Sequence, residues 1–136
     1  MIVAIGIDII EVARIRKTLV RTPRFNERVF TAAERAYCDS RGAAAAQHYA
    51  ARFAAKEAAL KALQTGWRGG IGWHDVEVAA HESGAPYLIF NGEAKRLLEN
   101  TGATAAHLSM SHTTEHAIAQ VVLEKIWRWE GLLQVI

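Results

Sequence analysis

Apolar residues run almost unbroken through the first ten positions, Met1-Ile-Val-Ala-Ile-Gly6-Ile-Asp8-Ile-Ile10, and then the period changes. A continuous apolar run of this length predicts a strand buried on both faces. Over residues 11–20 the period becomes helical: Val12, Ile15 and Leu19 share one side, while Arg14, Lys17 and Arg21 fall opposite. Pro23 ends or bends that helix. Thr31-Ala-Ala-Glu34 has capping-box spacing and opens a second helix that closes near Gly42. Residues 43–63 are rich in alanine without Gly or Pro, which predicts one long helix that neighbours can approach closely. Gly66, Gly69, Gly70 and Gly72 follow as a glycine-rich turn region. Residues 75–81 and 86–90 read as two strands joined by Glu82-Ser83-Gly84-Ala85. Asn91 caps a helix ending at Gly102. Residues 105–111 and 117–125 form a hairpin with His112-Thr-Thr-Glu-His116 at its tip. The sum is a single α+β domain, with a mostly antiparallel sheet packed against a long Ala-rich helix.

Composition narrows the class. With 136 residues, 51% hydrophobic and 22% charged, the chain suits one globular domain. Its one cysteine, Cys38, excludes an internal disulfide and a Cys-based zinc cluster, in keeping with a reducing cytoplasm. The apolar start lacks a basic leader and carries Asp8, so no secretory signal is expected, and no stretch is long enough to span a bilayer. Net charge is only +2, yet residues 11–28 hold six basic and two acidic side chains. Such a local patch suits an acidic partner met at one face rather than general affinity for nucleic acid.

Asp8 is the chemically conspicuous residue, because a carboxylate within an apolar strand needs compensation. A helix cap or a basic partner would supply it, and so would a hard cation. Glu57 and Lys61 are spaced i,i+4, the spacing of an ordinary surface pair contributing about 0.3–0.5 kcal/mol. Arg52, Lys56 and Lys61 gather on the same helix beside the glycine-rich stretch, a combination suited to a polyphosphate. No Walker loop, nucleophile elbow or dinucleotide fingerprint is present. Taken alone, His112 at a hairpin tip reads first as a solvated turn residue; His48, His74, His81, His107 and His116 have no metal-ligand spacing.

Gly6-Ile-Asp8-Ile-Ile, Arg52-Phe-Ala-Ala-Lys56-Glu57-Ala-Ala-Leu-Lys61-Ala and Leu108-Ser-Met-Ser-His112 closely resemble, in order, the three motifs of the holo-[acyl-carrier-protein] synthases. These are the small, trimeric type of 4′-phosphopantetheinyl transferase. The resemblance covers residues 1–125 and leaves 126–136 as a C-terminal extension of unknown role, whose tryptophans pack on the domain or a neighbour. It implies transfer of the 4′-phosphopantetheine group of coenzyme A to a serine of apo acyl carrier protein, releasing adenosine 3′,5′-bisphosphate and supporting fatty acid biosynthesis. It implies Mg²⁺ held by Asp8 and Glu57, with Lys61 a third catalytic residue at the pyrophosphate. Coenzyme A contacts are implied at Arg52, Lys56, Lys61, Gly66, Pro86 and His112. The acidic carrier is met by Arg14, Arg21, Arg24 and Phe25, and a homotrimer places sites between subunits. Many relatives have Gly-Lys-Pro where this chain has Gly84-Ala85-Pro86, so one cationic contact is absent. The competing readings are a non-catalytic carrier-protein or nucleotide-binding module, and the same chemistry serving a polyketide or peptide-synthase carrier.

Overall fold

The computed structural model describes residues 1–64 and 70–127. Strand β1 (Ile2–Glu11) leads directly into helix α1 (Val12–Arg21), followed by α2 (Pro23–Val29), α3 (Ala32–Asp39) and α4 (Ala45–Leu63). Strands β2 (Val76–Ala80) and β3 (Pro86–Phe90), helix α5 (Gly92–Asn100) and strands β4 (Ala105–His112) and β5 (His116–Glu124) complete the fold. The protein is α+β. Its described strands pair antiparallel in two sheets rather than one: β1-β5-β4, and β2-β3.

The first sheet and α4 form the principal core. Ala119, Val121 and Leu123 of β5 are buried against Ala54, Ala55, Ala58 and Ala62 of the helix. Helical alanines bring the backbones close, and the closest approach is at Gly6. A Cβ there would lie 1.9 Å from the carbonyl oxygen of Ala58 and 2.8 Å from the amide nitrogen of Ala62. Only glycine permits this crossing, and an added methyl would force a backbone shift. On another side of α4, Tyr49, Ala50 and Ala51 join a second core with Val12, Ile15, Val29 and Phe30. The helix is therefore buried almost all round.

Several expectations change in detail. Strand β1 is not buried on both faces: Gly6 faces α4, but Ile5, Ile7 and Ile9 are 56%, 52% and 62% exposed. An apolar run reports that both faces avoid water, not where each finds its cover. Pro23 does end α1, and it then occupies the first turn of α2, where its missing N–H costs nothing. The long helix starts at Ala45 after a 3-10 turn over Gly42–Ala44. Asn91 stands at the N-cap of α5 without making a side-chain capping bond. The capping box at Thr31 and Glu34 is formed as expected. Gly66 and residues 128–136, with Trp129, lie outside the described residues, while Trp127 is exposed. Among the described residues no helix is long and apolar enough to cross a membrane.

Candidate active site

The crossing at Gly6 places the end of β1 over the last turns of α4. Two residues on, and on the same strand face as Gly6, Asp8 meets Lys61: Nζ donates to Asp8 Oδ1 at 3.0 Å and to the Ile7 carbonyl at 3.0 Å. Glu57 lies one turn before Lys61, so its side chain rises on the same flank of the helix. Asp8 thus uses one carboxylate oxygen on a lysine. Its other oxygen, Oδ2, is buried without a hydrogen-bond partner. A buried, unpartnered carboxylate oxygen is costly, and here it stands beside a second carboxylate-bearing turn. Among the described residues no group of three His, Cys, Asp or Glu side chains could hold a metal. Two carboxylates that leave the remaining positions to water and substrate oxygens are nevertheless the usual protein share of a Mg²⁺ site. The donor set at Asp8 and Glu57 therefore fits that ion.

Lys56, next to Glu57 in sequence, faces elsewhere. Its side chain is fully buried, and Nζ donates to Glu34 Oε1 at 2.9 Å, to the Val76 carbonyl at 2.6 Å and to the Trp73 carbonyl at 3.1 Å. Glu34 is equally engaged. Its Oε1 also accepts from the Thr31 N–H at 2.8 Å, and Oε2 accepts from the Val78 N–H at 2.8 Å. All three ammonium protons are used, so Lys56 offers no open side to a ligand. Burial pulls its pKa below the usual lysine value, and the Glu34 charge opposes that fall. As placed, Lys56 joins α4 to α3 and β2, which differs from the nucleotide contact expected of it.

Arg52, Pro86 and His112 do come together. With Tyr37, His48 and Met110 they line a cleft of about 180 Å³ between α3, α4, β3 and β4. Arg52 is only 5% exposed; its guanidinium lies 4.1 Å from the Tyr37 ring centre, and Nε is buried without a partner. An arginine held in this way, with donor capacity left over, is suited to phosphate. The sequence pattern did not single out Tyr37 or His48. The available signal was spacing, since His48 precedes Arg52 by four residues and so shares its helix face.

On another side, Thr22, Phe25, Arg28, Val29, Phe53 and Trp73 line an apolar groove of about 360 Å³. The Phe53 and Trp73 rings stack at 5.3 Å, and Phe25 meets Phe53 at 5.9 Å. Arg14, Arg21 and Arg24 stand exposed along α1 and α2. Phe25 thus stands where the basic surface of α1 and α2 borders an apolar groove.

Comparison with known proteins identifies the family to which this fold belongs. The family model of the 4′-phosphopantetheinyl transferase superfamily matches residues 4–121. A holo-[acyl-carrier-protein] synthase of Koribacter versatilis is 50% identical over 125 residues, covering 91% of this chain and 99% of that protein. The crystal structure of the Bacillus anthracis holo-(acyl-carrier-protein) synthase in complex with CoA (3′,5′-ADP) superposes with a TM-score of 0.76 at 42% identity, covering 93% of this chain and 99% of that one. The Helicobacter pylori synthase in complex with coenzyme A gives 0.76 at 31% identity, covering 88% and 99%. The chain belongs to the 4′-phosphopantetheinyl transferase superfamily.

Proposed function

We propose that the protein is a holo-[acyl-carrier-protein] synthase, moving 4′-phosphopantetheine from coenzyme A to a serine hydroxyl of apo acyl carrier protein in support of fatty acid biosynthesis. The observation that carries this reading is the buried, unpartnered Oδ2 of Asp8 beside Glu57 and Lys61, in a chain whose relatives at 42–50% identity are such synthases. The serine oxygen attacks the β-phosphorus of coenzyme A, forming the new P–O bond. The bond from that phosphorus to the bridging oxygen breaks, and adenosine 3′,5′-bisphosphate departs. Glu57, directly or through one water, accepts the serine proton. Lys61, which is half-exposed and already turned toward Asp8, balances charge on the pyrophosphate. Asp8 and Glu57 would hold Mg²⁺, which when bound neutralises charge on the transferring phosphate. Arg52, Pro86 and His112 receive the nucleotide end of coenzyme A, in a cleft whose buried guanidinium awaits an anion.

The exposed arginines of α1 and α2, with Phe25 at the aromatic groove, form a surface for an acidic carrier protein carrying an apolar side chain. Assembly as a homotrimer is supported by the open face of β1, where Ile5, Ile7 and Ile9 stand exposed beside Ile118 of β5. Sedimentation as a fully active monomer would overturn that assembly. We read 1–125 as the catalytic domain and assign the enzyme to the cytoplasm. Cys38, buried with its thiol pushed up to about 12 by desolvation, plays no part in the chemistry.

Incubation with coenzyme A, Mg²⁺ and apo acyl carrier protein should add one phosphopantetheine to the carrier, read by intact-protein mass. Chelation of the metal should stop the gain and added Mg²⁺ restore it. A carrier left unmodified under saturating conditions would identify a binding module instead.

A further inference from the structure

The nucleotide cleft holds a pair of imidazoles that the transfer chemistry does not require. The rings of His48 on α4 and His112 at the end of β4 meet edge to face, 4.8 Å between centres. His48 also meets the edge of the Tyr37 ring at 5.6 Å. Both histidines line the cleft together with Arg52, whose Nε is buried and unpartnered. The adjoining chain between Arg41 and Gln47, Gly42-Ala-Ala-Ala-Ala46, brings no charged side chain to this end of the helix. The cationic character available to a phosphate there therefore rests on Arg52, on Arg41 at the end of α3, and on the protonation of the two imidazoles.

We propose that His48 is a further ligand-binding residue, and that with His112 it forms a proton-accepting pair whose grip on a phosphate monoester of the nucleotide tightens as pH falls. The proposal rests on the coenzyme A reading of the cleft. Its physical basis is mutual repulsion. Two imidazoles in contact do not both carry charge easily, and neighbouring guanidinium groups oppose charging further. The groups facing His48 are Tyr37 and Arg41 from the α3 side, Arg52 on its own helix and His112 on β4; Glu115 lies in the hairpin turn beyond His112, and His116 opens β5. In the free protein His48 is held below the usual histidine value, first by burial and then by His112, Arg52 and Arg41. A phosphate dianion brought between them reverses the sign of the local field, and a proton is taken up from solvent. Since the bound state then holds more protons than the free state, affinity falls as pH rises.

Calorimetric titration with coenzyme A, in two buffers of different ionisation enthalpy between about pH 6 and 8, reads this directly. The wild-type protein should take up a fraction of a proton to about one proton per ligand near neutrality, and its affinity should weaken about three- to tenfold across that range. The ligand's own phosphate, whose second pKa is near 6, works against that slope, because binding as the dianion releases its proton. The His48→Phe and His48→Gln variants remove a histidine's share of the uptake: both should bind coenzyme A with a flatter pH profile and less proton uptake. Dephospho-coenzyme A, lacking the 3′-phosphate, should show the same loss with the wild-type protein. Proton uptake identical in the wild type and both variants would overturn the proposal while leaving the coenzyme A site standing. Failure to bind coenzyme A at every pH would overturn both.

Discussion

Lys56 and Glu57 are neighbours on one helix, yet one sits in a buried ion pair and the other lies one turn from a second pair built on opposite terms. The Glu34–Lys56 pair is dry, and every ammonium proton and both carboxylate oxygens have partners inside the protein. The Asp8–Lys61 pair at the other flank is open on the lysine side, and Asp8 keeps one buried oxygen without a partner. The first arrangement leaves nothing for a ligand to add. The second leaves an acceptor that a cation or a donor must complete. Charged residues packed among alanines thus divide by whether their bonding is closed, and on the proposed function it is the open cluster that takes part in the chemistry. The buried pair serves the open one indirectly, by joining α3, α4 and β2 and fixing the rotation of the helix that carries Glu57.

The largest effect expected from breaking this contrast is on stability at the closed cluster. Glu34→Gln leaves the Lys56 charge buried without its counter-ion, which should cost about 3–5 kcal/mol, read as a drop in the denaturant midpoint. The pH dependence has a definite sign. Burial already lowers the Lys56 pKa, and loss of Glu34 removes what opposes that fall. The unfolded chain keeps the lysine protonated to about pH 10.4, so between the two values it binds more protons than the folded chain. Stability of the variant should therefore rise with pH, and its deficit should shrink from neutrality toward about pH 9.5. A deficit that stays constant or grows would mean that charge burial is not its cause.

Next in size is the open cluster, where the effect should fall on rate. Glu57→Gln keeps the shape of the side chain and removes its charge, and should lower turnover about 10²–10⁴-fold. Its unfolding free energy should fall by less than that of Glu34→Gln, which strands a fully buried lysine charge. Unchanged turnover at saturating Mg²⁺ would remove Glu57 as ligand and base together. A large loss of stability would erase the distinction between the clusters.

Sequence carried the local half of this picture well. The Thr31–Glu34 capping box, the turn of the β4–β5 hairpin and the charged outer face of α1 are set by residues within a few positions of one another, and each is found where the pattern placed it. The misplacement of Lys56 has a physical reason. Helix α4 is apolar nearly all round, so periodicity could not say which way any of its charges points. Lys61 is five positions beyond Lys56, and at 100° per residue the two face directions about 140° apart. What assigns each its side is a partner far off in the chain: Glu34 for one and Asp8 for the other. Glu34 was legible as a cap, but its second bond, to Lys56, was not. Gly6 was the one clue to the crossing, since a glycine inside an apolar strand marks a close approach of backbone. The exposed face of β1 was hidden for the opposite reason, because an exposed apolar face has the same composition as a core.

The smallest effect expected, and the sharpest test of where the carrier docks, lies on α1. Its inner residues Val12 and Ile15 are buried in the second core, while Arg14 points to solvent and touches neither ionic cluster. Charge reversal there leaves the cores and the nucleotide cleft intact and changes the field that an acidic partner meets. Arg14→Glu should lower kcat/KM for acyl carrier protein about tenfold at low salt, mainly through slower encounter, and the loss should diminish as ionic strength rises. Binding of coenzyme A measured by calorimetry should stay near the wild-type value, because the cleft of Arg52 and His112 is formed by other elements. Equal losses for carrier and coenzyme A would place the damage in the fold or the shared site. A salt-independent loss confined to the carrier would mean that Arg14 acts through short-range packing rather than through its charge.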